Sequence, residues 1–493
     1  MRTKKKSDIL LKKTTLEIFC FITAIFIGLT NNFAQTQIGN DIPGNLTAQL
    51  SGHSVSMPNS TTVAIGSNSL NGAVASRIRI YNLIGNDWEQ KGGDIQGEST
   101  QEGLGETSMP DVNTFAFGAQ YNNNNGSYSG HVRVYSWNGS DWEQKGNSLD
   151  GDAELDFSGQ SVIMPDANTL AIGAPGNPPS QQKPGYVAIH SWNGASWEQK
   201  GLNLSGENLG DGFGTSVRMP DSNTIAIGAP FNDDNGLDTG KVRVYSWNGN
   251  EWLQKGSDLV GTVEEDRFGY AVSMPDNNTL AVGAPYSDEN GVNSGQVNIY
   301  SWNGTDWEQK GMSIIGDSES GFGWSLSMPN DNVIAIGAPF NFGYTRLYSW
   351  NGNDWNQAGV DIVGETQTDN LGTSVSMPDA QTLAVGAPSS YLYENLSGYV
   401  KVLDFSGLSL NEVEQPGFSI EAFPNPFKDY LTLKTQSPIK SVRVYSLLGQ
   451  IVFEESNFNE GTLNINLSTL STGKYLVNIQ TNDGSFSKKI IKE

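Results

Sequence analysis

The sequence predicts an all-β chain in which one four-strand unit is repeated seven times and a smaller β domain follows. Three observations carry this. The dipeptide Met-Pro recurs at Met57, Met109, Met164, Met219, Met274, Met328 and Met377, spaced by 49–55 residues, a period typical of propellers, solenoids and arrays. Each copy divides into four short alternating runs, as in YAVSM, TLAVGA, QVNIYSW and DWEQKG within residues 268–311. The repeat then stops, and residues 421–493 show alternating apolar runs of a different pattern.

Taken in order, residues 1–34 read as a secretory leader. Arg2, Lys4, Lys5, Lys6, Lys12 and Lys13 precede an apolar run from Ile18 to Leu29, and Asn32-Phe33-Ala34 precedes a cleavage point. The run is too short for a spanning helix, and no later segment has the roughly 20 apolar residues that a crossing needs. The single cysteine, Cys20, falls inside the leader, so the mature chain is expected to hold no disulfide. The formal charge is −24, and loss of the basic leader makes the mature chain more negative still. Such a field repels phosphate backbones, so nucleic acid is not an expected partner.

Within a repeat, PDNN joins the first two runs and the Asn-Gly of WNG joins the last two, both tight-turn chemistry for antiparallel hairpins. Four antiparallel strands with apolar residues on both faces describe a blade packed between two neighbours, hence a β-propeller. The Ala and Gly of the second strand are expected to let the adjacent sheet approach. The third-strand signature appears seven times, at Tyr81, Tyr135, His190, Tyr245, Tyr300, Tyr348 and Leu403, whereas the fourth-strand tryptophan appears six times. The missing strand is at the other end: TQIGNDIPG at 36–44 aligns with NQAGVDIVG at 356–364. The N-terminal strand is therefore expected to complete the last blade and close a seven-bladed ring, removing an exposed sheet edge.

The pairs Phe213-Gly214, Phe268-Gly269 and Phe322-Gly323 each precede a strand, a turn and Gly-Ala-Pro, at Gly228, Gly283 and Gly337. This resembles the FG-GAP repeats of integrin α-subunit propellers. Gly173-Ala174-Pro175 and Gly386-Ala387-Pro388 extend the likeness over residues 35–405, and the first two copies depart from it. Family members often carry an Asp-rich calcium loop between the first two strands. Here that connection is a short turn such as PDAN, too short to supply several converging oxygens, and the calcium sites are not carried over.

Residues 406–420 read as a linker. In 421–493, Phe423-Pro424-Asn425-Pro426, the turn at Gly449 and Gly473-Lys474-Tyr475 resemble the C-terminal sorting domain of the type IX secretion system of Bacteroidetes-type bacteria. The alternating strands argue independently for a small β-sandwich. The sorting-domain motif comprises Pro424, Asn425, Pro426, Gly449, Gly473 and Tyr475, and the resemblance implies contact with the type IX machinery through this C-terminal domain. It also implies export, with either attachment to the outer cell surface or release.

No HExxH, P-loop or GxSxG pattern is present, and no catalytic residue, cofactor or metal ligand is assigned. His53, His131 and His190 occupy unlike repeat positions and read as packing or surface histidines. The WNGxxW tryptophans, such as Trp247 and Trp302, read as hairpin packing rather than as a sugar-stacking ring. The loops after the second and fourth strands vary between copies and concentrate acids, which points to that face as the ligand face. Its candidates are Asp233, Asp234, Asp238, Asp288 and Glu289, a set that also suits weak Ca2+ binding. The resulting reading is an exported or cell-surface binding protein for a glycan or protein ligand, not an enzyme. A polysaccharide-degrading enzyme on this scaffold and a structural surface or matrix component are the alternatives.

Overall fold

The computed structural model describes residues 35–69, 75–100, 102–177, 183–392, 396–406, 421–446, 451–481 and 485–493. The leader, residues 407–420 of the linker and Gly449 lie outside them. Every element among the described residues is a β-strand, and the strands form eight sheets. Among the described residues no helix is long and apolar enough to cross a membrane.

Seven sheets share one antiparallel order, and in six of them the fourth strand carries the tryptophan. The fourth strand is broken in most sheets: Trp197–Gln199 and Leu204–Ser205 both pair with Tyr186–Trp192. The interruption centres on Gly201, whose φ is +80° and whose added Cβ would meet Trp247 at 2.8 Å. Thr36–Gln37 and Ile42–Pro43 pair with Tyr399–Asp404 in the same split manner. The first strands lie side by side from Ser51–Asn59 through Ser374–Asp379, and that last strand packs in turn against Ser51–Asn59. Such radial stacking is β-propeller architecture.

Second strands such as Thr279–Ala284 are fully buried, and apolar clusters run between neighbouring sheets. Val242 and Val244 pack with Phe268, Val272 and Val282 of the following sheet. Close approach requires glycine in the second strand at six of these interfaces. A Cβ on Gly228 would lie 2.0 Å from the Gly269 carbonyl oxygen, and one on Gly386 would lie 2.0 Å from that of Gly52.

The tryptophans lock the outer strands. Trp142, Trp197, Trp252, Trp307 and Trp355 each donate Nε1–H to the carbonyl of a lysine in the preceding sheet at 2.8–3.0 Å. Trp88 makes the same bond to Ile38 at 2.9 Å, so residues 36–43 stand where a fourth strand stands elsewhere.

The tail is a single hydrogen-bonded sheet of five strands around Phe427, Leu431, Val442, Val477 and Ile490. Its long strand Tyr430–Ser446 pairs with Glu421–Phe423 through its first half and with Gly473–Thr481 through its second, and the ladder breaks between Lys434 and Ile439.

Candidate binding face

Among the described residues, loops after second strands pack on the connection entering the next sheet. Asn235 Nδ2 donates to Gly261 O at 2.9 Å, and Glu265 N to Leu237 O at 2.8 Å. Both variable loops therefore emerge together on one face.

The predicted acids lie on this face, divided between two loops, and most serve the loops themselves. Asp233 Oδ1 accepts the Asp238 N–H at 2.8 Å and Asp288 Oδ1 the Asn293 N–H at 2.6 Å. Asn123 Oδ1 does the same for Tyr128 at 2.7 Å, so an amide replaces the carboxylate without changing the loop. The donating residues, Asp238, Asn293 and Tyr128, have φ of +47° to +54°, a strained region for side-chain-bearing residues. Asp234 pairs with Lys241, whose hydrogen bond pulls its carboxyl below the usual range. Asp238 lies 3.6 Å from the Arg267 guanidinium, and burial holds its carboxyl high. Glu289 is exposed and close enough to Asp266 to help hold that carboxyl up; burial is the main cause, and Asp266 is pushed up to about 6.

A feature not anticipated from the sequence is a buried polar residue three positions before the glycine that ends Phe-Gly in three copies and before its equivalents Gly52, Gly105, Gly159 and Gly372: Gln49, Glu102, Asp156, Asp211, Asp266, Ser320 and Asp369. Several of these residues cap their own connection. Glu102 Oε2 accepts the Glu98 N–H at 2.8 Å, and Asp369 Oδ2 accepts Glu365 N at 2.8 Å and Thr366 N at 3.0 Å.

The residue following the same glycine faces the central channel. The seven are His53, Glu106, Gln160, Thr215, Tyr270, Trp324 and Thr373, lining a cavity of about 560 Å3 together with the first strands. One repeat position thus presents seven side chains of mostly different chemistry. Farther down the strand, Ser56, Ser108, Ser273, Ser327 and Ser376 accept a Met N–H of the next sheet at 2.9 Å. Arg218 breaks this rule and reaches across the channel, donating to both carboxylate oxygens of Glu106 at 3.0 Å. Burial opposes the Arg218 charge, and Glu106 more than offsets it. Burial also pulls the His53 imidazole down, favouring its neutral form.

Two aromatic groups flank the mouth. Tyr270 and Trp324 are 4.6 Å apart between ring centres, with Tyr286 and Phe340 beside them. On the other side Tyr121, Tyr128 and Phe157 are mutually 5.7 Å apart. They line a cavity of about 920 Å3 with Asn68, Asn123, Asn177, Thr100 and Ser127. No charged side chain is among its described lining residues, and Tyr121 and Tyr128 remain 38% and 45% exposed. Gly103 makes room for the Tyr121 ring, since a Cβ there would lie 2.2 Å from it. For the seven channel residues the sequence signal was the variability of the position after the shared glycine in an otherwise uniform repeat.

Trp247 and Trp302 are in neither group. They pack on Trp252 and Trp307, with Lys200 at 5.2 Å and Lys255 at 4.9 Å over their rings. In the tail, Asn425 Oδ1 accepts the Ile491 N–H at 2.8 Å, tying the segment holding Pro424 and Pro426 to the last strand. Gly473 opens the neighbouring strand, and the Tyr475 hydroxyl donates to Ser471 O at 2.9 Å.

Comparison with protein-family models finds the secretion system C-terminal sorting domain over residues 421–493 and the FG-GAP repeat over residues 198–245 and 261–300. No curated protein sequence matches the chain. Among solved structures, a hypothetical selenium-binding protein from Sulfolobus tokodaii is similar at 10% identity and TM-score 0.47, covering 87% of this chain and 94% of that one. The β-propeller domain of the Trilobed protease from Pyrococcus furiosus aligns at 13% identity and TM-score 0.44, over 74% and 96%. Acylaminoacyl peptidase from Pyrococcus horikoshii aligns at 12% identity and TM-score 0.41, over 80% and 58%. The chain thus carries FG-GAP repeats in an all-β propeller, followed by a type IX sorting domain that directs it to the cell surface or the extracellular space.

Proposed function

We propose that this is an exported seven-bladed propeller, closed by its N-terminal strand and followed by a small β-sandwich, that binds a neutral glycan on its variable-loop face. The observation that carries the ligand class is the Tyr121–Tyr128–Phe157 group, partly exposed and rimmed by amides and hydroxyls without a charged side chain. Aromatic faces offer large contact area to the apolar face of a sugar ring, and amides fix its hydroxyls. The net charge of −24 disfavours acidic sugars at the same face. Closure is supported by Trp88 bonding to Ile38 and by Gly386 meeting Gly52.

Hydrolysis by paired carboxylates has little support in the channel. Glu106 is the one carboxylate among its described lining residues, and both its oxygens are held by Arg218. A protein ligand is the second reading, favoured by Leu209, Leu237, Val263 and Val292, which are 51–59% exposed on loops of this face.

A glycan array probed with the mature chain tests the proposal. Binding to neutral glycans should fall at least about tenfold in Tyr128→Ala, given about 1.5–3 kcal/mol for the loss of a large side chain buried against ligand, and should persist in Trp247→Ala. Equal binding by Tyr128→Ala and the parent chain would overturn it.

A further inference from the structure

The first residue of the third strand meets the buried polar residue of the incoming connection in several sheets. Tyr186 donates its hydroxyl to Asp156 at 3.1 Å, Tyr399 to Asp369 at 3.0 Å, and Tyr344 to Ser320 at 3.1 Å. In the second sheet that position is His131, and its partner is Glu102. An imidazole is shorter than a phenol, and here the contact is not made. His131 is fully buried, yet neither ring nitrogen has a hydrogen-bond partner. A buried polar group left in this way costs about 1–3 kcal/mol.

Around the imidazole stand Glu98 and Glu102. One ligand atom from each of the three residues lies within 4.8 Å of the others. Asp150 Oδ1 is 3.7 Å from His131 Nδ1. Arg133 also faces the group, 3.7 Å from Glu98 and 4.0 Å from Glu102, beyond hydrogen-bond range of both. With a neutral imidazole, three carboxylates against one guanidinium leave a local charge of −2, which a divalent cation would neutralise. Glu98 is partly exposed and offers an entry path.

We propose that Glu98, Glu102 and His131 form a binding site for a divalent transition ion of the Zn2+ class, with Asp150 orienting the imidazole. The ion takes the bridging place that a tyrosine hydroxyl fills in other sheets. One imidazole nitrogen with carboxylate oxygens suits Zn2+, whose ligand distances are about 2.0–2.2 Å, so modest side-chain rotation closes the group on the ion. Hard ions such as Ca2+ prefer six to eight oxygens and have less to gain from imidazole. A carboxylate beside a ligating histidine is the usual outer support.

The test is calorimetric titration of Zn2+ into the chelator-treated mature chain, alongside its thermal midpoint. One saturable site is expected, with a midpoint that rises on loading. His131→Tyr installs the residue that other sheets use, so it should fold while weakening that site at least about tenfold and abolishing the midpoint rise. Glu98→Gln, on the exposed connection, should weaken binding without lowering the ion-free midpoint. The proposal is overturned if no saturable heat is seen at millimolar Zn2+, if His131→Tyr binds as well as the parent, or if Ca2+ gives the same heat.

Discussion

If residues 36–43 complete the last sheet, Ile42 should matter as much as its counterpart within the chain, Ile314. Both sit in the short outer piece after the fourth-strand break, at 3% and 6% exposure. Ile42 packs in one cluster with Val55, Met57, Val63, Tyr81, Val400 and Val402, which come from both ends of the ring. Truncating a buried isoleucine to alanine costs about 2–5 kcal/mol. With an unfolding entropy of about 2.1 cal/mol/K per residue over the roughly 370 residues of the propeller, about 3 kcal/mol corresponds to about 4 °C in midpoint. Ile42→Ala and Ile314→Ala should therefore lower the midpoint to within about 1–2 °C of each other, followed by tryptophan fluorescence. A normal loss for Ile314→Ala with no change for Ile42→Ala would mean that the N-terminal strand does not hold the ring, and the closure argument would fail.

Two further outcomes follow from the same geometry. Gly283→Ala places a methyl 2.1 Å from the Gly323 carbonyl oxygen and should destabilise by about 1–3 kcal/mol or more, whereas Gly93→Ala, with nothing within 4 Å, should be near neutral; urea midpoints compare them. His190 stands where most copies have tyrosine, and burial lowers its pKa to about 4. Because the folded value lies below the unfolded value of about 6.5, this group's cost is absent at neutral pH and grows as pH falls from about 6.5 to about 4. His190→Tyr should flatten the loss of stability in that window, measured as thermal midpoint against pH, and an unchanged slope would refute it.

Much of the architecture was legible because it is written seven times. The Met-Pro spacing, the Gly-Ala steps of most copies and the six tryptophans each report a packing rule repeated from sheet to sheet, and the unmatched 36–44 segment is what suggests the proposed closure by subtraction. The face that carries the variable loops was also legible from their variation. The side chains that form a site on it were not. Asp233 and Asp288 attract attention as acids, but whether such an oxygen is free depends on a loop turning at positive φ and bringing an N–H from five residues ahead. His131 reads as one more packing histidine until its neighbours are known.

The sequence by itself determined the repeat, the blade, the exported character and the sorting tail, because each rests on short-range patterns of turn, alternation and spacing. Tertiary structure alone decided which chemistry converges. Glu106 and Arg218 are 112 residues apart and meet only because the first strands circle a common channel. Tyr121, Tyr128 and Phe157 meet only because the loop of one sheet folds onto the entry to the next. Contacts of that kind depend on ring geometry, and no local pattern records them.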